Sequence, residues 1–338
     1  MKHTISNLEK TIGNKTKIIN QLNETIENIT RAYESEVEVN NFNQLKNEEY
    51  IKDQNLFCDT LNSNLNIGYD EKIIKAKVEL NKIEFELFVY KEKDVVSDNI
   101  IKRKNWEAKE TNNLLEALIF FANKTNTKKE DIHIIDIGAN IGWYSFFLGK
   151  YGYKILAFEP SIINFYILKR NFCINKDVSI TLINKGLYTE EKVCGYYMSI
   201  IDIGDGWVIC DKDKKVPNDL KKTGDIVLTK LNNYASFLSK NNFALIKIDV
   251  EGSEEKAIEG GIKLISDYHV PFIFLEFSPN SLILHDTDPK QFLELFENNG
   301  YKFSFTSFFE KDYVSIEKIM STIKGFSNLY IIYYKFLE

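Results

Sequence analysis

Long apolar runs are missing from this chain of 338 residues: none approaches the roughly 18 needed to cross a bilayer, so no membrane span is expected. The first ten residues, M-K-H-T-I-S-N-L-E-K, hold no apolar core of the kind a secretory signal carries. An excess of positive charge is missing too. The formal charge is −6 and the isoelectric point about 5.5, which leaves no global field to attract nucleic acid. Cysteine is scarce, and Cys58, Cys173, Cys194 and Cys210 show no C-x-x-C spacing. Without an export signal they read as reduced thiols of a cytoplasmic protein. No His/Cys cluster has zinc spacing. What remains is an ordinary globular composition, 44% hydrophobic and 27% charged, with 24 Phe and 18 Tyr to fill a large core. The length suits one large domain with an appendage, or two small domains.

The most informative stretch is D-I-H-I-I-D-I-G-A-N-I-G-W-Y-S-F-F-L-G-K-Y-G-Y-K-I-L-A-F-E-P-S at 131–161. A β-branched run at 132–135 predicts a buried parallel strand that ends in Asp136 and a glycine turn. An apolar helix at about 141–151 follows, then a strand at 154–158 that stops at Glu159-Pro160. This β-α-β unit opens backbone at a helix N-terminus, where a nucleotide-like ligand can approach. Glu159 lies 17 residues beyond Gly142, a spacing that suits a grip on both ribose hydroxyls of an adenosine. A dinucleotide fingerprint needs G-x-G-x-x-G, but Asn140 stands where the middle glycine belongs. Asp136 would repel a pyrophosphate and favour an ammonium. The pattern therefore favours S-adenosylmethionine over NAD; the bland alternative is a structural turn with a capped Asp.

Residues 1–66 are polar and hold no glycine or proline except Gly13. Ile5, Ile12, Ile19, Ile26 and Tyr33 fall at heptad position a, with Leu8, Lys15, Leu22, Ile29 and Glu36 at d. That seam predicts an N-terminal α-helical coiled coil and self-association, weakened by Lys15 and Gly13. A single amphipathic helix packed on its own chain is the alternative. Residues 37–66 read as linker with broken helix, and 67–338 as the main domain. A β-hairpin is expected over about 74–90, turning at Asn81-Lys82. An amphipathic helix follows at 111–123, and Ser161 caps a helix ending near Asn175. Further strands are expected at 179–184, 245–249, 271–277, 301–305 and 328–336, with the last two antiparallel. Helices at 253–266 and 288–299 separate them. The segment at 189–242 is too long for an αβ loop and reads as an insertion. It carries a strand pair around Gly204-Asp205-Gly206-Trp207 and a solvated lysine-rich face at 212–222. Seven strands with intervening helices give an α/β, doubly wound, Rossmann-like sheet.

Five motifs together resemble the FkbM-type methyltransferases. They are D-I-G-A-N-I-G-W-Y-S at 136–145, A-F-E-P-S-x-x-N-F at 157–165, N-K-G-L-Y at 184–188, L-x-K-I-D-V-E-G-S-E at 245–254 and F-L-E-F-S-P at 274–279. Trp106-Glu107 also looks like that family's entry signature. The chain departs from the pattern at Leu231-Asn232-Asn233, where the family more often has T-L-D-D-like letters. The resemblance runs from about residue 75 to the C-terminus and implies a class I S-adenosylmethionine-dependent methyltransferase acting on a hydroxyl of a sugar or glycosylated metabolite. By the same resemblance Asp136, Gly138, Asn140 and Gly142 would border the methionine moiety. Glu159 would hold the ribose, Asn184 and Gly186 would line the adenine, and Asp249 would face the methyl group and the acceptor.

Methyl transfer from a sulfonium is a direct displacement that needs alignment and a way to remove the acceptor's proton. Asp249, Glu251 and Glu276 fall at the carboxyl ends of neighbouring strands, where open α/β sheets bind ligands. They are candidates for a base with its orienting partner, or for a shared Mg²⁺. The bland alternative is helix capping and a salt bridge to Lys247. His285 is the histidine placed to act as a base, against an exposed loop residue; His133 reads as packed and His269 as a cap. Trp143 reads as core or pocket wall, and Trp207 as a sugar-stacking or turn residue. Two rival readings remain: a non-catalytic coiled-coil assembly protein with a degenerate Rossmann-like domain, and an NAD-linked oxidoreductase.

Overall fold

The computed structural model describes residues 48–60, 70–211, 216–310 and 312–338. The expected coiled coil at 5–36 lies outside them. In chain order the elements are helix α1 (48–60), strands β1 (Ile73–Leu80) and β2 (Ile83–Tyr90), helices α2 (Val95–Arg103) and α3 (Ala108–Thr125), β3 (His133–Ile137), α4 (Trp143–Lys150), β4 (Lys154–Phe158), α5 (Ile162–Ile174) and β5 (Ser179–Ile183). Next come β6 (Gly186–Leu187), β7 (Lys192–Ser199), β8 (Gly206–Ile209), β9 (Leu220–Thr229) and β10 (Phe243–Ile248). The chain ends with α6 (Glu254–Glu259), α7 (Ile262–Tyr268), β11 (Phe272–Phe277), α8 (Pro279–Leu284), α9 (Pro289–Asn298), β12 (Tyr301–Ser304), α10 (Ile316–Thr322) and β13 (Ser327–Tyr333).

Seven strands form the main sheet in the order β12-β13-β11-β10-β3-β4-β5. The five expected parallel strands are parallel, and β13 runs antiparallel to both β11 and β12. Strand order reverses between β3 and β10, which is where such a sheet opens a crevice at its carboxyl edge. Side chains alternate between two cores. Ile134, Ala157, Leu245 and Phe274 join the core that holds α3, α4 and α5. Ile135, Phe158, Ile246 and Leu275 join the core under α6, α7, α9 and α10. A strand buried on both faces must be apolar at nearly every position, which is why these segments read as continuous runs rather than alternating ones.

Local chemistry explains most boundaries. Asn81 (φ 52°) and Lys82 (φ 65°) both adopt left-handed backbone, the geometry a two-residue hairpin turn needs. Ser161 Oγ accepts from Asn164 N and so caps α5. The single helix expected at 253–266 is instead α6 and α7, broken at Gly260-Gly261. A Cβ on Gly260 would lie 2.0 Å from the Tyr188 carbonyl oxygen. The insertion is a second, four-stranded sheet of order β6-β9-β7-β8. Its strand pair was expected, but β9 was not: its first half is largely exposed and reads from sequence as a solvated lysine face.

The reduced-thiol reading is overturned. Cys58 is bonded to Cys173, and Cys194 to Cys210. The first pair, 115 residues apart, is brought together because α1 docks on the sheet edge; Gln54 donates to Ile180 O and accepts from Leu182 N, covering the free side of β5. The second pair joins residues facing each other across β7 and the end of β8. Neither proximity is visible in the spacing of the cysteines. Closing loops of these lengths stabilises the fold by about 3–5 kcal/mol each. Non-reducing peptide mapping should recover a 58–173 and a 194–210 cross-linked peptide, and dithiothreitol should lower the melting temperature by several degrees. Four free thiols in the native protein would contradict this.

Candidate active site

The site grows from one row of residues on one face of the sheet. Register places Asp136 of β3 beside Lys247 of β10, and Lys247 beside Phe274 of β11. Because side chains repeat every second residue, the next members of the row are Gly138, Asp249 and Glu276, at the carboxyl edge. Lys247 is buried, 4% exposed. Its Nζ donates to Gly138 O at 2.7 Å and lies 3.5 Å from both Asp136 Oδ1 and Asp249 Oδ2. Burial pulls its pKa down, but Asp249, Asp136 and Glu107 more than offset that and hold it charged. Asp136 also accepts from Ser145 Oγ at 2.6 Å.

The turn after β3 needs its glycine. Gly138 has φ +77°, and a Cβ there would lie 1.8 Å from the Asp249 carbonyl oxygen. Asn140, also left-handed (φ 51°), donates its backbone N–H to Glu159 Oε2 at 2.8 Å. Glu159 Oε1 accepts from Ser161 N at 2.8 Å, so each oxygen of this carboxylate holds one backbone donor and keeps a lone pair. Glu159 is 3% exposed, and burial pushes its pKa up to about 7 despite those two bonds.

Around this turn lies a cavity of about 410 Å³ lined by the ends of β3, β4, β10 and β11 and closed by the insertion, through Tyr196, Asp202, Gly204, Asp205 and Val208. The closing loop is tied down: Ile203 N donates to Lys93 O at 2.8 Å and Asn164 Nδ2 to Gly204 O at 3.1 Å. Asp249, Glu251 and Glu276 all line the cavity, each offering an oxygen within 4.8 Å of the others. The loop that presents Glu251 holds that residue in left-handed backbone (φ 55°), followed by Gly252 (φ 103°), where glycine is at ease. It is held from beneath by Glu254, whose Oε1 accepts from Val250 N at 3.1 Å and Gly252 N at 3.0 Å. Asp249, then burial, drives the Glu276 pKa up to about 11; burial, then Asp249, drives Glu251 well above the usual carboxylate range. Crowding among these carboxylates pushes Glu276 toward the protonated form.

Of the sequence-predicted residues, Gly138, Asn140, Glu159, Gly186, Asp249 and Glu276 line this one cavity. Asp136, Gly142, Asn184 and His285 do not. Asp136 sits one layer below with Lys247 as its cation. Gly142 is the first residue before α4, where a Cβ would meet Leu168 and Phe146 at 2.6 Å. Asn184 donates to Glu159 O at 2.9 Å and so braces the tip of β4 from outside. His285 ends α8 and packs on Trp207, ring centroids 5.3 Å apart. His133 is largely buried, which lowers its pKa to about 4, and His269 caps α7, stacked on Tyr333. Trp143 is core: it stacks on Phe147 and donates to Thr111 Oγ1 at 2.9 Å. Glu107, bonded to the Tyr144 hydroxyl and to Asn328, and Asp205 also line the cavity. The Trp106-Glu107 pair hinted at the first; no local signal marks Asp205, because only the fold of the insertion turns it inward.

A seven-stranded sheet in this order, with its glycine turn and carboxylate-tipped second strand, defines a methyltransferase-like α/β fold. Residues 136–303 match the model of the Methyltransferase FkbM domain, and the chain belongs to that family. Among solved structures it is similar to the bifunctional kinase-methyltransferase WbdD, at 11% identity and TM-score 0.39 over 66% of this chain and 38% of that one. It is also similar to M. jannaschii TYW2 in complex with AdoMet, at 14% identity and TM-score 0.32 over 76% and 84% of the two chains. A third is the Pyrococcus abyssi tRNA (uracil-54, C5)-methyltransferase with S-adenosyl-L-homocysteine, at 10% identity and TM-score 0.34 over 77% and 44%. The chain thus spans well under half the length of WbdD. No curated protein matches the chain. Among the described residues no helix is long and apolar enough to cross a membrane.

The raised carboxylates set a pH dependence. Glu159, Glu254 and Asp205 shift up to about 7 and Asp94 to about 6, all chiefly through burial. The folded state thus binds protons that the unfolded chain has released. Their stabilisation is complete below the ordinary carboxylate range and is lost as pH rises through 6–7. The ligand-free melting temperature should fall between pH 5 and pH 8 in scanning fluorimetry, and less steeply in Glu159→Gln. A melting temperature that rises across that interval would contradict the assignment.

Proposed function

We propose that the chain is an S-adenosylmethionine-dependent O-methyltransferase whose acceptor is a hydroxyl of a sugar or glycosylated metabolite. The observation that carries this reading is Glu159, a buried carboxylate at the tip of β4 that faces the cavity beside the Gly138–Asn140 turn. Its remaining lone pairs suit the two hydroxyls of an unphosphorylated ribose, and burial makes such bonds strong. Gly138 and Asn140 would border the amino-acid tail, and Gly186, which lines the cavity and packs against Leu228, would line the adenine. In the transfer the acceptor oxygen attacks the methyl carbon, the carbon–sulfur bond breaks, and sulfur keeps that electron pair as a neutral thioether.

The acceptor's proton goes to Asp249 in this proposal. Asp249 is the member of the carboxylate trio with a cation beside it, Lys247 at 3.5 Å, and Glu276 is its orienting neighbour. His285 stands behind the Gly252 loop and is not required. The trio's three oxygens also match the hard donors that Mg²⁺ takes; Asp249, Glu251 and Glu276 would hold it, and it would polarise the acceptor oxygen. Self-association through the 5–36 heptads belongs to the same proposal, and a monomer mass for the full chain in light scattering would retire it.

Calorimetric titration with S-adenosylmethionine should give one site per chain. Glu159→Ala should abolish the heat while the protein stays folded. Asp249→Asn should retain cofactor binding but lower S-adenosylhomocysteine production from an acceptor-containing extract about 100-fold or more. Folded wild-type protein that takes up no S-adenosylmethionine would refute the reading.

A further inference from the structure

The disulfide between Cys194 and Cys210 closes a ring through the insertion. Among the described residues, the insertion lines the cavity through Tyr196, Asp202, Gly204, Asp205, Gly206 and Val208, all inside that ring, and through Leu228 of β9 outside it. The ring is held unevenly. β7 is paired along its whole length with β9. The tip between β7 and β8 is pinned by Ile203 N on Lys93 O, by Asn164 Nδ2 on Gly204 O, and by Val95 N, which donates to Asp202 Oδ1 at 3.4 Å. β8, by contrast, is a four-residue strand at the edge of its sheet, with β7 as its neighbour. A ladder so short is marginal by itself. It runs from Met198–Gly206 to Gly195–Ile209, and the next opposed pair is Cys194–Cys210, so the disulfide clamps the end of β8 away from the pinned tip. The core beneath is small, made of Cys194, Tyr196, Met198, Ile226 and Leu228. Cys194 is 4% exposed, whereas Cys210 is half-buried and gives a reductant the easier approach.

Resting on the methyltransferase reading, we propose that Cys194–Cys210 is a redox switch on the cavity wall: oxidised, it holds β8 in place and the cavity ready for the cofactor, and reduced by a dithiol, it frees the end of β8 and weakens binding. In the reduction a thiolate of the dithiol attacks Cys210 Sγ. The sulfur–sulfur bond breaks, its electron pair leaves on Cys194 Sγ, and that sulfur takes up a proton. The second thiolate of the dithiol then displaces Cys210 from the mixed disulfide, and Cys210 is protonated in turn. Two electrons and two protons have passed to the protein, and the reductant leaves as its own disulfide. Closing a ring of this length favours the closed wall by a factor on the order of 100. Without the bond, Gly206 and Val208 leave the cavity whenever β8 frays, and only the closed fraction binds. The register makes the change reversible: each time the ladder re-forms it sets the two thiols opposite one another, where a disulfide oxidant such as oxidised glutathione can rejoin them. Cys58–Cys173 has no such reach, because Cys58 is sunk in the large core and neither cysteine lines the cavity.

The test compares the full chain, oxidised, with the double variant Cys194→Ser, Cys210→Ser, by amide hydrogen exchange and by calorimetric titration with S-adenosylhomocysteine. Peptides covering 206–211 should exchange about 10-fold faster in the variant, while those of β3 and β10 keep their rates. S-adenosylhomocysteine should bind about 10-fold more weakly. Wild-type protein taken through graded dithiothreitol, with free thiols located by alkylation and peptide mapping, should lose affinity in step with the opening of 194–210 and regain it with oxidised glutathione. This second series decides the matter alone if the variant does not fold. Unchanged exchange over 206–211, or unchanged affinity, with the 194–210 bond open would overturn the switch. So would a bond that opens only when β3 and β10 lose their protection as well. In those cases the oxidised protein still binds S-adenosylhomocysteine and the methyltransferase reading stands; oxidised protein that takes up none would instead strike that reading, and the exchange comparison would still decide whether the bond holds the wall.

Discussion

A single buried ammonium holds the site together. Lys247 reaches from β10 to the carbonyl of Gly138 and to Asp136 and Asp249, joining the two strands at which the sheet changes direction. A buried charge is tolerated only when its partners are fixed, and removing it would leave Asp136 uncompensated in the core at a cost of about 3–5 kcal/mol. The glycine turn therefore cannot drift from β10: Gly138 is clamped by Lys247 and pressed on the Asp249 carbonyl. The crevice is preorganised by electrostatics as much as by packing.

That arrangement makes the surrounding carboxylates expensive. Burial and mutual repulsion push several of them toward the protonated form. The same logic joins Glu159, at the tip of β4, to Asp249, Glu251 and Glu276 in one cavity. It also gives the insertion a purpose. The Cys194–Cys210 bond and the contacts to Lys93 and Asn164 fix a wall whose inward residue, Asp205, completes the negative lining.

Much of this was legible beforehand because local rules and tertiary structure agree. The buried strands, the Asn81-Lys82 hairpin, the Ser161 cap and the Glu159 tip all follow from short-range pattern. Gly138 and Asn140 were legible because a left-handed turn demands such residues. What failed was long-range. Cys58 meets Cys173 only because α1 docks on β5, and β9 is a strand only because β7 pairs with it. Asp136, expected to face the ammonium of a bound S-adenosylmethionine, is instead turned to the ammonium of Lys247, set by sheet register. His285 stood in a loop able to reach the cleft, yet Trp207 and the Gly252 loop hold it at the side.

The most direct measurement is a crystal structure of the chain with S-adenosylhomocysteine. The ribose hydroxyls should lie on Glu159, the amino-acid tail along Gly138 and Asn140, and the sulfur should turn toward Asp249. Density for the ligand outside this cavity, with Glu159 still bonded only to Asn140 and Ser161, would contradict it.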